Sequence, residues 1–291
     1  REYAVIDFEN FKGLDFLDIS KTDNKNYKFE MDKLNNFYEE IFFDEDLNTF
    51  SCGFDSSILK IIDNTILNGL FQSEKYLEPN KKAIKRFIKI KSKEDTSHQE
   101  WDKVCILNIR GGEYKRHKDL ILPKTYWLNA MKNMKEIYPF LNFKIITDDP
   151  VYAEKFLPGI EILKGDISSD FNNLSKAKYL IVSNSSFSYF PINLGAYPEK
   201  VIAPLYWSRF GNKYSRWSSP ANYYKDWSWQ DYNGEILNKI EVEKTISNTL
   251  KEFENYNVRS KLKKNKSQNK LFIFIKKYLK KILNMFFPEI F

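Results

Sequence analysis

From Val104 onward the chain alternates short, unbroken apolar runs with stretches of helical spacing. The runs Val104–Ile109, Phe143–Thr147, Glu161–Lys164, Tyr179–Ser183 and Val201–Pro204 predict strands buried on both faces. After the first run, Tyr126, Ala130, Met131 and Met134 recur at helical spacing, with Pro123 and Thr125 as start signals. Tyr152–Phe156 and Phe171–Ala177 predict shorter helices. Strands alternating with helices in this way predict an α/β unit over residues 99–245, Rossmann-like, with a parallel sheet. Ligands of such sheets bind beyond the carboxyl ends of the strands.

Residues 1–98 read differently, as a smaller α/β domain. Tyr3–Phe8 predicts a strand, Ser20–Lys28 is polar, and helices are expected near Met31–Phe42 and Pro79–Ile90. Lys91–His98 is charged, lacks apolar residues and fits an interdomain linker. At the other end, residues 246–291 form a tail in which Leu271, Phe274, Ile275, Tyr278, Leu279, Ile282 and Phe286 fall at helical spacing. Lys276, Lys277, Lys280 and Lys281 lie opposite or at the edges of that stripe.

Charge sharpens this division. The net charge of the 291 residues is +7. Ten Lys or Arg and no acid lie between Arg259 and Lys281, so the rest of the chain is mildly acidic. A nucleic-acid-binding body is not expected on that balance. A basic face beside a Phe/Leu/Ile face suits a helix lying on an anionic membrane surface, with a plain packing helix as the alternative. The two cysteines, Cys52 and Cys105, make neither a disulfide framework nor a zinc site, and His98 and His117 leave little scope for histidine chemistry. The chain starts at Arg1 with no signal peptide and reads as cytoplasmic, peripheral at the inner face of the cell membrane.

Candidate chemistry sits where strands end. Val104–Ile109 runs directly into Arg110-Gly111-Gly112-Glu113-Tyr114. An arginine fork there suits a diphosphate, and two glycines leave room for a phosphate to approach the backbone. Tyr179–Ser183 ends in Asn184-Ser185-Ser186-Phe187-Ser188 before a short helical stretch containing Pro191 and ending near Gly195, an expected anion site. Together these loops predict a nucleotide-diphosphate site.

These segments also carry a family likeness. Asn68-Gly69-Leu70-Phe71-Gln72-Ser73-Glu74-Lys75-Tyr76 resembles a G-x-F-Q-S-x-K-Y segment, and Asn108-Ile109-Arg110-Gly111-Gly112-Glu113-Tyr114 an H-I-R-R-G-D-Y motif. Ile146-Thr147-Asp148-Asp149 sits where the family has a strand ending in S-D-D. Asn184 to Phe190 is similar to N-S-S-F-S-W-W, and Val201 to Trp207 to V-I-A-P-x-x-W. In this order they resemble glycosyltransferase family 11, the alpha-1,2-fucosyltransferases and related bacterial polysaccharide enzymes. The resemblance implies a GT-B-like architecture and an inverting, metal-independent transfer of fucose from GDP-fucose to a glycan hydroxyl. Its partners would be a nucleotide sugar and a glycan acceptor, with residues 1–98 on the acceptor side and no cofactor.

Three positions depart from the motif: Asn108 stands for His, Gly111 for the second Arg, and Glu113 for Asp. The donor nucleotide or sugar is therefore open to change. The family's opening glycine-rich segment has no counterpart, so a fragment lacking its first strand–loop–helix is expected. The resemblance implies donor binding by Asn108, Arg110, Gly112, Asp170, Asn184, Ser185, Ser186 and Phe187. Catalysis would fall to Arg110 and Glu113. Each has a plainer reading: a strand-end ion pair for Arg110, a helix cap for Asp170, Ser185 and Ser186, and a partner of Arg110 for Glu113. Asp148-Asp149 invites a metal, but a cap or a hydroxyl contact is favoured. Lys115, Arg116 and His117 are read as loop residues, and Phe187, Tyr189 and Phe190 as core. A non-catalytic carbohydrate-binding or scaffold protein derived from such an enzyme is the rival reading.

Overall fold

The computed structural model of the chain describes residues 16–19, 36–39, 42–44, 49–51, 54, 56–62, 65–68, 71, 73–77, 81–91, 100–116, 120–195, 197–205, 224, 226–231, 233–245 and 247–248. Tyr3–Phe8, Ser20–Lys28, His117 and the tail stretch Lys270–Phe287 lie outside the described residues.

Before residue 100 the described strands are short and paired. β1 (Leu17–Ile19) runs antiparallel to β6 (Ile88–Ile90), β2 (Asn36–Glu39) parallel to β5 (Thr65–Asn68), and β3 (Phe42–Asp44) antiparallel to β4 (Thr49–Ser51). Two helix expectations are corrected here. Where a helix near Met31–Phe42 was expected, Asn36–Glu39 and the run from Phe42 are extended, because their aromatic side chains favour a pleated surface once a partner strand is available. The helix expected over Pro79–Ile90 is confined to α1 (Lys81–Phe87), and Ile88 and Ile90 flank exposed Lys89 in strand alternation. The β1–β6 ribbon is not isolated. Phe16 and Leu17 pack with Phe171, flanked by Ile88, Ile90, Phe187 and Leu194.

The second half is a six-stranded, wholly parallel sheet with helices on both faces, so the fold is α/β. Its strands are β7 (Val104–Ile109), β8 (Asn142–Thr147), β9 (Glu161–Ile162), β10 (Tyr179–Val182), β11 (Lys200–Pro204) and β12 (Ser228–Gln230). Every residue of β7 and β10 is buried, as expected of central parallel strands. Along β7, Val104 and Ile106 face one layer, with Leu174, Tyr189 and Ile192. Cys105, Leu107 and Ile109 face the other, with Tyr126, Trp127, Ala130 and Met134. That period of two divides the core into two layers.

The helices follow local signals. α2 (Lys124–Ile137) starts after Pro123, and α3 (Pro150–Phe156) is capped by the Asp149 carboxylate, which accepts from Tyr152 N–H at 3.0 Å. α4 (Ile167–Lys176) is capped by Asp166, which accepts from Ser169 N–H at 2.7 Å. α5 (Tyr189–Leu194) ends at Gly195, where any Cβ would collide with the Ser175 carbonyl; the glycine permits α5 to pack on α4. Among the described residues no helix is long and apolar enough to cross a membrane.

β12 has no counterpart in the sequence reading. Its Ser-Trp-Gln is too short to show a period, and side chains hold it. Gln230 Nε2 donates to the Tyr126 carbonyl at 3.0 Å, and Asn133 Nδ2 donates to Gln230 Oε1 at 2.8 Å.

Strand order β12-β11-β10-β7-β8-β9 positions the site. The chain leaves β7 toward β8 and β9, then returns to the opposite edge of β7 as β10 and continues outward. The direction of travel reverses between β7 and β10. In open α/β sheets that reversal opens a crevice at the carboxyl ends of the two strands.

Candidate active site

Arg110 leaves the carboxyl end of β7 at this crevice with its side chain 23% exposed. Its Nη1 lies 3.1 Å from Asp148 Oδ2, beyond the end of β8. The other Asp148 oxygen, Oδ1, accepts from Gly111 N–H at 2.8 Å. One carboxylate therefore grips the guanidinium and the adjacent backbone together. Parallel pairing of Ile109 with Thr147 brings the two strand ends level and makes this geometry available.

The Nε–Nη2 edge of the guanidinium is less committed. Among the described residues Nε has no hydrogen-bond partner, and Nη2 reaches Glu113 Oε1 only at 3.9 Å. Glu113 is exposed, so water screens that pair and its contribution is small. The Arg110 guanidinium carbon also lies 5.3 Å from the centre of the Tyr114 ring, within cation–π range.

Tyr114 links the two halves of the crevice. Its hydroxyl donates to the Asn184 carbonyl at 3.3 Å, beyond the end of β10. Burial pushes its pKa up, opposed by the Arg110 charge and by a hydrogen bond with Ser185. Tyr114 closes the Arg110–Tyr114 motif, and the motif alone assigns it no role. The available signal was its spacing, four residues after Arg110, which a 3-10 turn over Glu113–Arg116 turns back beneath the guanidinium.

The two glycines let other parts of the protein approach the loop closely. A Cβ on Gly111 would meet the Tyr152 ring at 2.6 Å and Asp149 Cβ at 2.9 Å, and one on Gly112 would collide with the Asp148 carboxylate. The space they leave is filled by the protein: Gly111 admits the start of α3 and Gly112 admits Asp148.

Asn184 Nδ2 donates to the Leu120 carbonyl at 3.2 Å, which fixes the loop after β10. Ser185 caps the turn Ser186–Ser188, its Oγ accepting from Phe187 N–H at 3.4 Å. Its own hydroxyl thus satisfies one donor that was expected to bind an anion, and α5 is too short for a substantial dipole. Ser186 and Phe187 are half-buried at the turn. Tyr189 is buried and donates to Glu74 Oε1 at 3.3 Å, while Phe190 is 40% exposed, which corrects its reading as core. Asn108 is buried on the same face of β7 as Ile106. Among the described residues its Oδ1 has no hydrogen-bond partner, nor has Ser183 Oγ next to the crevice.

Asp170 is not the cap of α4, because Asp166 takes that position. Asp170 lies in the first turn of the helix, half-buried, four residues before buried Leu174. Burial, then the charges of Asp166 and Asp148, raise its pKa to about 7. Asp149 is held low by Lys115, which pairs with it, and by the Tyr152 N–H. Arg116 is exposed. Among the described residues no group of three or more His, Cys, Asp or Glu is arranged to hold a metal ion.

No protein-family model matches the chain. Over 158 residues the chain is 25% identical to an alpha-1,2-colitosyltransferase of Escherichia coli, a stretch that is 48% of this chain and 54% of that protein. The chain thus spans about half the length of the curated relative it matches. Among solved structures it is similar to E. coli heptosyltransferase WaaC with ADP, at a TM-score of 0.32 and 15% identity, over 52% of this chain and 47% of that one.

Proposed function

We propose that the chain is a glycosyltransferase that moves a sugar from a nucleotide-diphosphate donor to a glycan hydroxyl. The observation that carries this reading is Arg110 at the strand-order reversal. One side of its fork is fixed by Asp148, and among the described residues the Nε–Nη2 edge is turned toward no stronger partner than Glu113. That edge suits two-point contact with a diphosphate. Asn108 Oδ1 and Ser183 Oγ, buried without partners among the described residues, are further groups that a bound nucleotide would satisfy. The likeness to a colitosyltransferase supports the same class.

The chemistry follows from these positions. The acceptor oxygen attacks the anomeric carbon opposite the departing diphosphate, and the C–O bond to the diphosphate breaks with its electrons. Arg110 stabilises the negative charge that develops there. Glu113 takes the acceptor proton, a role open to it because its exposed carboxylate stands beside Arg110. Ser185 and Ser186 shape the far wall of the diphosphate site, with Gly112, Asn184 and Phe187 around it. Asp170 lies nearer the nucleoside. The donor would be GDP-fucose or the nucleotide-diphosphate form of another sugar such as colitose, used with inversion and without metal. The basic tail would hold the enzyme on the cytoplasmic face of the membrane.

The test is a thermal-shift and turnover screen with GDP-fucose, other nucleotide sugars and the free nucleoside diphosphates. A ligand at about 100 times its dissociation constant adds roughly 2.7 kcal/mol of stability. Arg110→Lys should lower kcat/KM for the active donor by about 10²–10³-fold, the usual cost of one transition-state contact. A folded Arg110→Lys protein with unchanged kinetics overturns the assignment.

A further inference from the structure

A second concavity lies outside the crevice. It has a volume of about 290 Å³ and is bounded by α1, by the turn ending at Leu77, by α5 and by Tyr197. That volume is near the lower end for ligand pockets, roughly 300–1,000 Å³, and admits a short ligand. Leu77, Ile84 and Leu194 contribute an aliphatic floor, and Tyr189, Phe190 and Tyr197 contribute rings. Asn193 adds an amide whose Nδ2 donates to the Tyr189 carbonyl, and the two charged lining groups are Lys82 and Lys85.

The charge is one-sided. α1 reads Lys-Lys-Ala-Ile-Lys-Arg-Phe and contains no acid. Among the described residues no Asp or Glu lines the groove. Two carboxylates touch its tyrosines from outside: Glu74 accepts from the buried Tyr189 hydroxyl, and Asp226 Oδ2 accepts from Tyr197 at 3.5 Å. Lys85 Nζ sits 5.6 Å from the centre of the Tyr197 ring. Tyr197 is 77% exposed, so its ring is presented in open water, not enclosed in a tunnel. Flat, open ring faces bind the C–H faces of sugars, and ammonium groups at the rim select a negative substituent.

We infer that this groove binds an acidic saccharide, a carboxylate- or phosphate-bearing unit of the acceptor glycan. The acceptor assignment rests on the glycosyltransferase reading; the preference for an acidic saccharide does not. Position links the two sites. Tyr189 and Phe190 follow directly from the Ser185–Ser188 turn, so the groove begins within one helical turn of the crevice wall.

Calorimetric titration of the full chain at low salt tests this, with the α-1,4-linked galacturonic acid trisaccharide, the neutral galactose trisaccharide and dodecyl phosphate as probes. The acidic trisaccharide should bind about ten-fold tighter than the neutral one, the effect of two partly solvated ion pairs. The exposed double variant Lys82→Gln/Lys85→Gln should erase that difference. Tyr197→Ala should weaken both sugars. Equal affinities, no binding of either sugar, or a preference that survives the double variant overturns the inference. So does tighter binding of dodecyl phosphate, which would mark a groove for an alkyl chain. The nucleotide-sugar thermal shift is measured on the same proteins. Its absence in the wild type, with the acidic preference intact, would remove the transferase reading and leave the saccharide site standing.

Discussion

Replacing Asp170 by Asn should make the protein more stable above neutrality and leave it unchanged in acid. The carboxyl has a pKa raised from 3.8 to about 7, first by burial and then by Asp166 and Asp148. Between those two values the folded state binds more protons than the unfolded state, so stability falls as pH rises and levels off above about pH 7. A shift of about three units corresponds to at most about 4 kcal/mol. Solvent reaches part of this carboxyl, so the effective penalty is nearer about 1–2 kcal/mol. Asn keeps the shape of the protonated acid and cannot ionise. Urea denaturation of wild type and Asp170→Asn from pH 4 to pH 9 measures the difference directly. It should be near zero at pH 4 and rise to about 1–2 kcal/mol by pH 8, or about 2–8 °C in Tm. A difference that does not vary with pH, or a variant less stable at pH 8, would refute the reasoning.

Three further outcomes are expected. Gly112→Ala should displace Asp148 and lower affinity for nucleoside diphosphates by about ten-fold or more while circular dichroism stays native, because the added methyl occupies the carboxylate's place. Cys105 is fully buried and its thiol pKa is pushed up by burial, so in a Cys52→Ser background it should react with a thiol reagent only as fast as the protein unfolds. Removing residues 259–291 should abolish cosedimentation with anionic vesicles, and high salt should release the full chain; unchanged cosedimentation would assign the tail to packing.

The parallel sheet was legible because β7 and β10 are buried on both faces and therefore appear as unbroken apolar runs. Their ends fell within a residue or two of those read from sequence. The first half was not, because aromatic pairs such as Phe37-Tyr38 and Phe42-Phe43 fit a helix or a strand equally until a partner strand decides. At the site, Arg110 was legible from its place after a strand. The double grip of Asp148 was not, since it joins residues 37 positions apart and depends on the β7–β8 register. The helix-capping role of Asp166 was in reach of the sequence, as an acid directly before Ile167.

The reversal of strand order also dictates when the crevice can form during synthesis. Tyr114 and the Asn184 carbonyl it bonds are 70 residues apart, and β8 and β9 emerge between them. At about 5–20 residues per second, the ribosome releases the second wall roughly 4–14 s after the first. Once β8 has emerged, β7 has a partner on that side and still an open edge on the side that β10 will occupy. A nascent chain paused there carries a buried-type strand, Val-Cys-Ile-Leu-Asn-Ile, exposed to other chains. Closure of the crevice and burial of that edge are then a single late event, so slow translation between residues 110 and 179 should favour aggregation, and chaperone capture should fall on that window.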